Sequence, residues 1–175
     1  AIRIENAFTI VEVASRLGGR IRKLVLKQTG DDLLYWDEKE FLGGLLDEKS
    51  VWTTTPYQTD ILSQTHGCCQ LRLAARVQDV TVTKTLTFHA DRPAIHVAYR
   101  FENRGQTDLV RTGPIFIRNF VRPGGQDITP DDLYCFPMSD GIIQENHAEL
   151  LRRFGPSAMI YDRLSAGWQA FVNRS

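Results

Sequence analysis

The stretch "VTVTKTLTFHADRPAIHVAYRFENRG", Val80 to Gly105, constrains the fold more than any other part of the chain. Its apolar and polar residues alternate with period two, as in a strand that buries one face and shows the other to water. Val80, Val82, Leu86 and Phe88 share one face, and Thr81, Thr83, Thr85 and Thr87 share the other. After the "HADRP" break the pattern resumes, with Ile95, Val97, Tyr99 and Phe101 set against His96, Arg100 and Glu102. Threonine and β-branched residues fit a half-buried pleated surface. Pro93 falls in the break, where its missing N–H harms no ladder. A hairpin alone is marginal in water, so this one must pair with further strands.

The same alternation places Leu71, Leu73, Ala75 and Val77 opposite Arg72 and Arg76. Further strands are predicted at Phe8–Val13, Ile21–Lys27, Gly113–Val121, Ala158–Tyr161 and Trp168–Val172. Turn chemistry separates them in "LGGR", "QTGDD", "ENRGQTD", "RPGGQD" and "MSDG". Gly18, Gly19, Gly30 and Gly105 are read as positions that need positive φ. One helix is a candidate, Ile142–Phe154, on Ile143, Leu150, Leu151 and Phe154; its thin stripe equally allows an irregular loop. Many short strands with one polar and one apolar face predict an all-β protein, an antiparallel β-sandwich formed as one domain over residues 1–175.

The chain balances 21 Lys and Arg against 21 Asp and Glu, so no global basic field favours nucleic acid or an anionic membrane. No apolar run approaches the roughly 20 residues that span a bilayer. "AIRIENAFTI" lacks the basic-then-apolar layout of a signal peptide, and no compartment is read from it. Cys68, Cys69 and Cys135 are odd in number and two are adjacent, which is no disulfide framework. His66 with Cys68 and Cys69 lacks the usual gap between metal-binding cysteines, so no metal or cofactor is expected. No phosphate loop, Cys-x-x-Cys pair or nucleophile elbow is present.

Several stretches line up in order: "FTIVEVASRLGGRIRKLVLKQTGDDLLY", "FLGGLLDEKSVW", the Val80–Gly105 hairpin, "PIFIRNFVRPGGQD", "LYCFPMSDG" and "GWQAF". This order resembles the galactose mutarotase-like superfamily. The resemblance covers nearly the whole chain and implies a supersandwich of two twisted antiparallel sheets and a sugar ligand. Two departures limit it. Epimerases of the superfamily carry a catalytic histidine in a strand whose counterpart here is "GPIFIRNFVRP", with Arg118, Asn119 and Arg122 and no histidine. Arginine stays charged and cannot cycle as a general acid. Their catalytic glutamate lies on a later strand, beyond Ser175, so the sandwich is expected to be incomplete at its C-terminus and to expose sheet edges for a homodimer.

The candidate ligand residues come from three places. In "IFIRNFVRP" the face carrying Phe116, Arg118, Phe120 and Arg122 alternates aromatic rings with guanidinium groups. Rings can stack on a pyranose while guanidiniums donate to hydroxyls or a carboxylate; alternatively the Phe residues are core and the Arg stems snorkel. His66, in a His-Gly pair, is either ligand-facing or an ordinary loop histidine. Trp52 is a sugar platform or a buried or rim aromatic. His89 and His96 read as a surface pair. Asp127, Asp131, Asp132 and Asp140 lie where turns favour Asp, without a calcium-loop spacing. These residues point to a carbohydrate-binding domain without the epimerase acid–base pair. The alternatives are a sugar-active enzyme completed by sequence or a partner chain outside this one, and a structural accessory domain.

Overall fold

The computed structural model describes residues 1–34, 44–46, 51–106, 116–118, 129–138, 141–154 and 170–172. The chain divides into two compact units, Ala1–Val121 and Arg122–Ser175. It is mostly β, and its strands pair antiparallel. Among the described residues no helix is long and apolar enough to cross a membrane.

In the first unit, β1 (Ile2–Glu5), β2 (Thr9–Ala14) and β3 (Arg20–Leu26) form a three-stranded sheet in that order. β4 (Gly44–Leu46) pairs with β9 (Phe116–Arg118). The short helix α1 (Val51–Thr54) leads into a four-stranded sheet in chain order. That sheet comprises β5 (Gln58–Gln64), β6 (Cys68–Val77), β7 (Val80–His89) and β8 (Ile95–Asn103). Val11, Val13 and Ile21 from one sheet and Leu71, Leu73, Val82, Leu86 and Phe88 from the other belong to one buried cluster. The Asn6 amide ties the two sheets at one end, donating to the carbonyl of His89 at 2.7 Å.

Period two thus sorts β6 and β7 as their sequence predicts. Phe101 departs from it: it ends the inward series of β8, an edge strand, and is 44% exposed. Strands also form where no alternation announces them. β5, "QTDILSQ", is an edge strand with mostly exposed residues, so no buried face imprints its sequence. β6 and β7 are joined by a two-residue turn, since Val77 pairs with Val80. Gln78 takes φ 54° there, the left-handed geometry that tight hairpins demand.

Glycine roles divide. Gly18, Gly19 and Gly30 have positive φ as expected. Gly105 does not; its N–H donates to Asn103 Oδ1 at 2.9 Å. A Cβ there would come within 3.2 Å of Asn103 Oδ1 and Asp79, so Gly105 is a close-approach residue.

In the second unit, β10 (Leu133–Met138) lies between β11 (Gly141–Asn146) and β12 (Ala170–Val172). The helix predicted over Ile142–Phe154 is corrected: its first half is β11, and only α2 (His147–Phe154) is helical. Asn146 marks the switch, its Oδ1 accepting the N–H of Glu149 at 2.8 Å as an N-cap. Upstream of that cap the β10 register holds the chain extended, with Leu133 opposite Asn146. The predicted strand Ala158–Tyr161 lies outside the described residues, as do the flanks of β9 and β12.

Candidate functional site

The four-stranded sheet turns its polar face away from the core, and its register builds a trough there. Thr81, Thr83, Thr85 and Thr87 run down the centre on β7. Arg76, Ala74, Arg72 and Gln70 face them in that order from β6, and Glu102, Arg100, Ala98 and His96 from β8. Small side chains therefore make a floor, and long ones stand on either side. The resulting groove has a volume of ≈ 440 Å³ and is lined by Thr81, Thr83 and Thr85 with Arg72, Arg100 and Arg104, together with Glu102. No side chain among the described residues hydrogen-bonds the hydroxyls of Thr81, Thr83 or Thr85.

The walls are charged and paired. Arg72 donates from Nε and Nη2 to Asp60 Oδ2, at 3.2 and 2.8 Å. Glu102 accepts from Arg100 at 2.5 Å and from Arg104. One carboxylate thus serves two guanidiniums, which leaves the groove with an excess of positive charge. All three arginines are well exposed, so these pairs are weak and exchangeable.

A second concavity, ≈ 280 Å³, lies at the end of the same sheet and contains His66, Gln64, Cys68 and His89 beside Arg3 and Asn6. His66 is exposed, and Cys68 is the direct cross-strand partner of His89. His96 pairs instead with Thr87, so the two histidines of the hairpin are diagonal. Burial, with Cys68 a lesser cause, pushes the Cys69 thiol up. Among the described residues no three side chains of His, Cys, Asp or Glu are grouped to hold a metal.

Behind the threonine face lies a residue that the alternation implied and residue type concealed. Lys84 occupies the inward register between Val82 and Leu86 and is 1% exposed. Its Nζ donates to the carbonyls of Gly18, at 2.5 Å, and Gly19, at 3.3 Å. The rings of Tyr57 and Tyr99 lie 4.8 and 5.8 Å from the ammonium. Gly18 must lack a side chain, since a Cβ would sit 2.6 Å from the Thr53 carbonyl oxygen. Burial, with the charge of Arg20 second, pulls Lys84 down to about 7. Burial likewise pushes the Tyr99 hydroxyl up to about 12.

The remaining predicted residues are dispersed. Trp52 is 3% exposed and belongs to the core of the first unit, as a buried aromatic. Phe116 and Arg118 are in β9, opposite Leu46 and Gly44. Phe120 and Arg122 lie outside the described residues, as do Asp127 and Asp140. Asp131 is exposed, whereas Asp132 is fully buried and accepts the Thr129 N–H at 2.7 Å. His66 thus lines a cleft whose walls do not include Trp52.

Compared with family models, curated proteins and solved structures, the chain matches none.

Proposed function

We propose that the chain is a carbohydrate-binding domain of galactose mutarotase-like β-sandwich design, and that the threonine face is its ligand floor. The observation that carries this reading is the run of Thr81, Thr83 and Thr85 hydroxyls, without side-chain partners among the described residues and flanked by guanidinium donors and a carboxylate acceptor. Sugar hydroxyls both donate and accept, and this surface offers both kinds of partner. The shared core of the two sheets in the first unit supports the sandwich. Binding is favoured over catalysis because the groove's charged lining is Glu102 with three arginines, and arginine does not exchange protons at working pH, which gives Glu102 no charged acid–base counterpart in the described lining. A sugar-active enzyme is the second reading, favoured by His66 and His89 in one cleft.

The test is a thermal-shift screen against neutral, amino and acidic sugars, run with Thr83→Val and His66→Ala. A ligand that binds only the folded chain raises the midpoint. A shift lost in Thr83→Val and kept in His66→Ala is the expected outcome. The reverse pattern moves the site to the cleft, and a flat screen with a sharp transition removes sugar binding.

A further inference from the structure

We infer that the ligand of the threonine face is an extended, linear saccharide bearing anionic groups along its length. This inference rests on the carbohydrate reading above and adds the class and shape of the sugar.

Shape comes first. Thr81, Thr83 and Thr85 succeed one another along a single strand, so their hydroxyl-bearing side chains repeat every two residues. At about 3.3 Å per residue the lined part of the column is about 13 Å long. Ala74 beside Thr83 and Ala98 beside Thr85 keep the floor low along that length. A trough that follows a strand, bounded by side walls, matches a chain of rings better than one ring.

Charge comes from the walls. Arg72 stands on one side of the column, with Arg100 on the other and Arg104 just beyond the end of β8. Three guanidiniums face one carboxylate in the lining. Neutral sugars are commonly held by a ring stacked on an aromatic face. The floor here is threonine and alanine, and Tyr99, the groove's aromatic, sits in the register that faces Lys84 in the core. Binding must therefore come from charge-assisted hydrogen bonds, which planar guanidiniums make with carboxylate or sulfate. The ligand's anions would take over donors now shared with Asp60 and Glu102, exposed pairs that cost little to open.

The experiment is calorimetric titration of the full chain with three series, each of one to four rings: oligogalacturonates, sulfated galactan fragments, and neutral cello-oligosaccharides. Tighter binding of an acidic series, rising with length, is expected. It should weaken about ten-fold in Arg100→Ala and in Arg72→Ala, and weaken again when salt rises from about 20 to about 300 mM. The series that binds distinguishes carboxylate from sulfate. Equal binding of neutral and acidic chains overturns the anionic assignment and leaves carbohydrate binding standing. A single ring that binds as tightly as four overturns the extended one. Acidic binding unchanged in both arginine variants places the site elsewhere, and no binding by any series overturns both this inference and the reading beneath it.

Discussion

At the scale of single residues, Lys84 shows how one side chain can serve a fold against its own type. An aliphatic residue in its place would leave the carbonyls of Gly18 and Gly19 without the ammonium they now share. The left-handed Gly18-Gly19 turn and Lys84 thus depend on one another across 66 positions of sequence. The ammonium is stabilised by two carbonyls and two rings, yet burial and Arg20 outweigh them and depress its affinity for protons. The sign of the consequence is fixed. Between about 7 and 10.5 the unfolded chain holds a proton on this amine that the folded chain has shed. The contribution of Lys84 to stability therefore rises with pH through that window and is lost as pH falls through it, by on the order of a few kcal/mol, while the raised Cys69 thiol and tyrosine hydroxyls act in the opposite sense at its upper end. Urea unfolding at intervals from pH 7 to 10 should show this rise, and Lys84→Met should flatten it. A variant with the same slope as the wild type would assign the pH dependence to other groups. The threonine column was legible in the sequence because a threonine stands at every second position from Thr81 to Thr87. Lys84 was not, because a charged residue in an inward position reads as an interruption of the pattern until its partners in a distant turn are known.

At the scale of elements, legibility followed burial. β6 and β7 bury one face each and carry that fact in their sequences. β5 and the first half of the predicted helix do not. "QTDILSQ" is an edge strand, and "GIIQEN" is held extended by its pairing to β10, a contact no local propensity encodes. β5 also leaves Ile61 62% and Leu62 47% exposed on that edge, beside an irregularity in its pairing to β6. Exposed apolar residues on a strand that ends its sheet among the described residues favour association with a second copy, and we propose a homodimer through that edge. Sedimentation equilibrium over a wide range of concentration should show association that Ile61→Lys abolishes. A monomer at every concentration would remove edge pairing and assign the irregularity at Ile61 a protective role instead.

At the scale of the whole molecule, the described residues of the buried cluster and of the threonine groove belong to the first unit. The cluster's residues, among those described, fall between Val11 and Phe88, with partners packed on it from Ile2 to Tyr99. The groove's lining ends at Arg104. The unit boundary falls between Val121 and Arg122, at the start of the "RPGG" turn, where the sequence already signals a change of direction. A chain comprising residues 1–121 therefore retains both its core and its proposed binding surface. Expressed alone, it should unfold in one cooperative urea transition. It should also bind any acidic oligosaccharide that the full chain binds, with similar affinity, since every described lining residue of the trough is present. A cooperative fragment that has lost binding would show that the second unit contributes to the ligand site. A fragment with no cooperative transition would show that the core seen in the first unit is insufficient for stability, and would make the second unit part of the fold rather than an addition to it.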